Sequence, residues 1–192
     1  MINSAIQPGD SVLVLGAGSN GMMLAQLARQ QGAVRVIIID PIAYRLQRAL
    51  DAGIDYVLEP ESELANLLQH IYVINDGRKP DIVLVTPSSV SAMQQGLELI
   101  GHGGTVLFFA PPPPTSVLPI TPNTLFFQEM SLHTSYSAGP YETRLALDLL
   151  RLGRIRPESV ITHHFPLKDA AAAFKLVAKP GDALKVVIAV DS

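Results

Sequence analysis

The chain has 192 residues, 48% of them hydrophobic and 16% charged, with a formal net charge of −3. That balance excludes an intrinsically disordered chain, and it gives nucleic acid or an anionic membrane no basic surface to hold. There is no cysteine, so disulfides and thiolate metal sites are excluded as well.

The apolar runs are strand-sized, well short of the roughly 20 residues that a membrane-spanning helix needs. Residues 1–10 hold neither a basic stretch nor a continuous apolar run, so no signal peptide is expected and the cytoplasm is the expected compartment. In chain order the spacing predicts strands over Ser11–Leu15, 34–39, 55–58, 81–85 and 104–109, with a sixth over 131–135. Helical spacing fills the intervals 20–31, 43–52, 61–74 and 89–100. The strands are nearly all apolar instead of alternating, as expected for a parallel sheet covered on both faces. Right-handed crossovers then wind it doubly, in two three-stranded halves.

Past residue 135 the pattern changes. A helix is expected over Pro140–Arg151, with Leu145, Leu149 and Leu152 on one face and Gly153 as its stop. A strand over 160–165, a helix over 168–178 and a strand over 184–190 follow, with Pro180-Gly181-Asp182 as a turn before the last. The expected division is residues 1–135 as one domain and 136–192 as a C-terminal tail. Pro111 to Pro114 form a stiff extended piece after the fifth strand.

The segment Val12-Leu13-Val14-Leu15-Gly16-Ala17-Gly18-Ser19-Asn20-Gly21 carries the chemistry. Gly16 permits a tight strand-to-helix turn, Gly18 lets the backbone approach a pyrophosphate, and Gly21 lets the helix lie close to the sheet. The amides of Gly18, Ser19, Asn20 and Gly21, at the positive end of the helix, would receive the phosphates. A strand precedes the glycines, a helix follows, and Asp40 ends the second strand 19 residues after Gly21. That is the offset of an acid that binds the adenosine ribose hydroxyls. The fold expected is therefore α/β, a Rossmann doubly wound six-stranded parallel sheet with a C-terminal helix/strand tail.

A carboxylate at Asp40 repels a 2′-phosphate, which favours NAD(H) over NADP(H). Arg45 is either a ribose or phosphate contact or a solvated arginine on its helix. Other glycine-turn families fit less well. The first strand has no acid before its glycines, unlike S-adenosylmethionine-dependent methyltransferases. None of the five tyrosines has a lysine four residues on, as short-chain dehydrogenases require, and no GxxxxGK[ST] is present. His70, His102, His133, His163 and His164 show no i, i+3 or i+4 ligand spacing, Gly101-His102-Gly103 reads as a turn, and no metal site is expected.

Beyond the glycine turn, the chain resembles the cofactor-binding, C-terminal part of medium-chain zinc-type alcohol and polyol dehydrogenases, the sorbitol and threonine dehydrogenase branch in particular. The resemblance runs from Pro8-Gly9-Asp10 through Arg45-Leu46, Asp76-Gly77-Arg78 and Gly103-Gly104-Thr105-Val106. It continues through Leu125-Phe126-Phe127, Ile161-Thr162-His163 and Phe165-Pro166-Leu167 to Leu184-Lys185-Val186-Val187. It implies that backbone at Phe109, Ala110, Ser135 and Tyr136 meets the nicotinamide carboxamide. It also implies that Lys185 contacts the pyrophosphate, that Arg45 lies at the adenosine ribose, and that Thr86 belongs to the cofactor site. Pro111 to Pro114 and Thr86-Pro87 depart from the family pattern.

The family's hydride chemistry uses a zinc held by an N-terminal catalytic domain, whose Cys and Gly-His-Glu ligands have no counterpart here. The expectation is thus a truncated or split dehydrogenase, inactive alone, with a separate catalytic segment as partner and homodimerisation through the sixth-strand edge. The other readings are a standalone NAD-sensing regulatory module and a decayed, non-binding remnant. Without the catalytic domain, Leu149, Leu152, Ile155, Phe165 and Phe174 are expected to lie exposed or to be covered by self-association.

Overall fold

A computed structural model of the chain describes residues 6–179 and 181–190. The opening five residues and Pro180 of the expected turn lie outside that range.

Six strands form one parallel sheet: β1 (Ser11–Leu15), β2 (Arg35–Ile39), β3 (Tyr56–Leu58), β4 (Ile82–Val85), β5 (Thr105–Phe108) and β6 (Ser131–Thr134). Their order is β3-β2-β1-β4-β5-β6, the doubly wound arrangement expected from the alternation. In the central register Val14 lies between Ile38 and Leu84.

The side chains of these strands alternate between two cores. Val12, Val14, Val36, Ile38 and Leu84 point to one face, where α1 (Ser19–Gln30) and α2 (Ala43–Asp51) cover them with Met22, Ala25, Leu46 and Ala49. Leu13, Leu15, Ile37, Val83 and Val85 point to the other, under α3 (Leu64–Ile74) and α4 (Val90–Leu99), which contribute Leu67, Ile71, Met93 and Leu99. Burial on both faces is why β1, β2 and β4 are apolar at every position after the first residues Ser11 and Arg35.

A short helix, α5 (Pro122–Phe127), precedes β6 and was not expected from the sequence. Pro122 sits in its first turn, where a missing N–H costs nothing. After β6 come α6 (Pro140–Arg151), β7 (Ile161–Pro166), α7 (Ala170–Val177) and β8 (Lys185–Ala189). Gly153 takes a φ of 64° just past α6, the left-handed stop its residue type allows. β7 and β8 pair in parallel as a separate two-stranded sheet, joined through α7.

Two features tie the tail and the lower sheet edge to the first unit. Gln26, buried on α1, accepts a hydrogen bond from the Arg156 N–H at 2.8 Å and donates one to Ser159 Oγ at 2.8 Å. Arg48 of α2 donates to the carbonyls of Glu158 and Ser159. Between these ties Ile155 is buried and Val160 enters the α1-side core. Ile155 thus corrects the expectation of an exposed tail, and Leu149 and Phe165 are half-buried, whereas Leu152 and Phe174 are exposed. At the lower edge, Ser11 donates from both N and Oγ to Asp81, and buried Asn75 bridges Ser11 Oγ, the Arg78 carbonyl and Arg35.

Gln26→Ala removes the partner of a backbone N–H and of a hydroxyl in one step. The expected cost is about 1–3 kcal/mol, with faster amide hydrogen exchange at Arg156 and its neighbours and no change in the amides of β1.

Candidate nucleotide site

β1 is followed by α1 on one face of the sheet, and β4 by α4 on the other. The chain therefore diverges above the carboxyl ends of these two adjacent strands and leaves a crevice there. A cleft of about 470 Å³ opens at that point. Gly16, Gly18, Ser19, Asn20, Gly21, Asp40, Arg45 and Thr86 all line it.

The glycines serve distinct ends. Gly16 has a φ of +95°, and a Cβ there would lie 2.5 Å from Thr86 Oγ1. Its N–H donates to the Ile39 carbonyl at 2.8 Å, which bends the chain sharply out of β1. A Cβ on Gly21 would lie 1.8 Å from the Gly16 carbonyl oxygen and 3.3 Å from Val14 Cγ1. Only hydrogen fits, so α1 rests directly on the end of β1. Gly18 differs, since nothing in the protein lies within 4 Å of a Cβ added to it. Its bareness faces the cleft.

α1 starts with no side-chain cap and no acidic residue in its first turn. The N–H groups of Ser19, Asn20 and Gly21 are its first three, and these have no intrahelical carbonyl to reach. An anion at the mouth of the cleft would satisfy them and meet the positive end of the helix dipole.

Asp40 is only 3% exposed. Its Oδ2 accepts the Ala17 N–H at 2.7 Å, and its Oδ1 accepts the Ile42 N–H at 2.9 Å. The carboxylate thus pins the middle of the glycine turn to the end of β2 while lining the cleft. Arg45, on α2, brings Nη1 to 3.6 Å from Asp40 Oδ2. Its Nε is buried with no hydrogen-bond partner among the described residues, an orphaned donor beside the cleft. Thr86 donates from both Oγ1 (2.8 Å) and N (3.1 Å) to the Leu15 carbonyl, closing the β1–β4 junction.

The other sequence-predicted residues are not gathered into this cleft. Phe109 and Ser135 leave the ends of β5 and β6 with N–H groups bound to Val85 and Phe108, Ala110 follows Phe109 half-buried, and the Tyr136 side chain is 94% exposed. The Phe109 side chain lines a small apolar crevice between α1 and α6. Lys185 is exposed at the start of β8, and it is the preceding Leu184 that reaches the cleft. Sequence reasoning missed Pro41, Pro60, Pro87, Gln95 and Leu184 in the lining. Pro41 and Pro87 directly follow two residues that were singled out, and that adjacency was the available signal.

A family model described as zinc-binding dehydrogenase matches residues 21–151. The chain belongs to the zinc-binding dehydrogenase family. Among its relatives, the L-threonine 3-dehydrogenase of Bacillus licheniformis is 31% identical over 181 residues, covering 94% of this chain and 51% of the relative. The sorbitol dehydrogenase of Halalkalibacterium halodurans is 28% identical, over 96% of this chain and 53% of the relative. A solved structure assigned to the zinc-binding dehydrogenases, from Sinorhizobium meliloti and bound to NADP, is 26% identical with a TM-score of 0.85. It covers 97% of this chain and 54% of its own.

This dehydrogenase chain thus spans about half the length of the curated relatives it matches, and corresponds to their C-terminal, cofactor-binding half. The likeness runs through the tail, so the reading as a standalone regulatory module is not supported. Among the described residues, no helix is long and apolar enough to cross a membrane.

Gly18→Ala and Gly21→Ala separate the two kinds of glycine. Alanine at position 21 must displace α1 and is expected to cost about 1–3 kcal/mol or more as overpacking. Alanine at position 18 meets open space, and the change in unfolding free energy is expected to stay within about 0.5 kcal/mol.

Proposed function

We propose that the cleft binds NAD(H) and that the chain is the cofactor half of a zinc-type alcohol or polyol dehydrogenase. The observation that carries this reading is the free space over Gly18 beside uncapped amides of α1. The pyrophosphate would take the Ser19, Asn20 and Gly21 N–H groups, and the adenosine ribose would lie toward Asp40 and Arg45. Asp40 keeps lone pairs beyond the two bonds it accepts, and Arg45 Nε lacks a partner, so both can still serve a ribose. The carboxylate disfavours a 2′-phosphate, and on that ground NAD(H) is preferred even though the Sinorhizobium relative was solved with NADP.

NAD(H) held there would supply hydride transfer between an alcohol and its carbonyl product. Phe109, Ala110, Ser135 and Tyr136 would border the nicotinamide carboxamide, and Lys185 would contact the pyrophosphate. The zinc and the substrate contacts would belong to a separate catalytic segment. The protein works in the cytoplasm as a homodimer paired along β6, which ends the sheet and exposes three of its four residues.

Calorimetric titration of the chain with NADH and NADPH tests the cofactor assignment. NADH is expected to bind at least about tenfold more tightly, the factor that corresponds to 1.4 kcal/mol, and Gly18→Ala is expected to weaken both nucleotides. Equal affinities would overturn the NAD preference. A folded chain that binds neither would overturn autonomous cofactor binding. Sedimentation at micromolar concentration is expected to give a dimer, and a monodisperse monomer would contradict pairing along β6.

A further inference from the structure

A second cavity, of about 310 Å³, lies on the opposite face of the sheet from α1, between α3, α4 and α5. Leu64 and Leu68 of α3, Leu97 of α4 and Leu125 of α5 form its apolar wall, glutamine and threonine side chains share the lining, and no aromatic ring lines it. Its charged lining is Lys79 and Glu98.

Lys79 is partly exposed at this cavity. Its ammonium donates to the backbone carbonyl of Glu98 at 2.6 Å, near the last turn of α4. An ammonium has three N–H donors. Among the described residues, no carboxylate forms an ion pair with it. Burial pushes its pKa below the ordinary 10.5, and the field of the Glu98 carboxylate pulls only partly back. The bond to α4 explains why a lysine stands at this position. The ammonium's other N–H donors stay open to solvent and to whatever enters the cavity.

The lining also limits what could enter. One cation beside one acid favours a monoanion over a phosphate dianion or a dicarboxylate. Leucine walls favour an alkyl chain, and the absence of an aromatic face removes stacking as a means of holding a ring. The volume is at the small end of the range for ligand sites, about 300–1,000 Å³.

We propose that this cavity is a binding site for a medium-chain aliphatic monocarboxylate, its carboxylate paired with Lys79 and its tail laid along Leu64, Leu68, Leu97 and Leu125. The site is separate from the nucleotide cleft and does not depend on how that cleft is used.

Octanoate, titrated below its micelle concentration and followed by calorimetry, is the probe. Octanol has a similar tail without the charge, and acetate the charge without the tail. Both are expected to bind at least about tenfold more weakly than octanoate, as is octanoate to Lys79→Met. Lys79→Arg should retain part of the affinity. Leu68→Trp keeps the lysine, fills the cavity and is expected to abolish binding, so the test does not hang on one variant's folding. Binding should also fall as pH rises through the Lys79 pKa, because the ammonium is then lost while Glu98 stays ionised. No octanoate binding to the wild type would overturn the proposal. So would equal affinity for octanol, or octanoate binding undiminished in Lys79→Met.

Discussion

The seat of α1 on the end of β1 is the constraint from which the rest of the molecule follows. A single missing methyl group at Gly21 lets the helix backbone come against the Gly16 carbonyl. That contact sets the height of α1 over the sheet, and with it the position of the helix's free amides at the switch point. It also sets where Met22 and Ala25 meet Val12 and Val14, so one close approach serves the core and the cleft together. Gln26, one turn farther along the same helix, then carries the alignment to the tail.

The cleft is built from backbone more than from side chains. Its anion-facing groups are the free amides of α1, and the turn before them is held through the Gly16 and Ala17 N–H groups by the Ile39 carbonyl and the Asp40 carboxylate. Such groups cannot change rotamer or titrate near neutral pH, so the site is preorganised whatever fills it. The flexible groups, Arg45 and Thr86, lie at its sides. The cavity on the other face has the opposite construction, with aliphatic walls and one mobile cation.

Much of this was legible in the sequence, for identifiable physical reasons. β1, β2 and β4 are buried on both faces, so past Ser11 and Arg35 their residues are all apolar, and their limits could be read to within a residue. Gly16, Gly18 and Gly21 announced the turn because their spacing reflects a geometry only glycine supports. α5 was hidden because it has six residues, opens on proline and follows a proline-rich run, so no helical period could register. The burial of Ile155 was hidden for another reason. It depends on Gln26, about 130 positions away, and no local pattern reports such a partner. Asp40 was read as a ligand-facing acid, and its second task as an anchor for Ala17 became visible only with the turn folded.

That second task bears on how such a chain can change its cofactor over time. Admitting a 2′-phosphate calls for removing the acid at position 40, yet the same carboxylate holds the Ala17 and Ile42 amides. A neutral replacement would relieve the electrostatic conflict and release the loop in the same event. Cofactor exchange in this lineage therefore has to pass through a compensating change near Ala17 or Ile42, or through a residue that keeps one acceptor oxygen while shedding the charge. Asparagine at position 40 is the shortest such path.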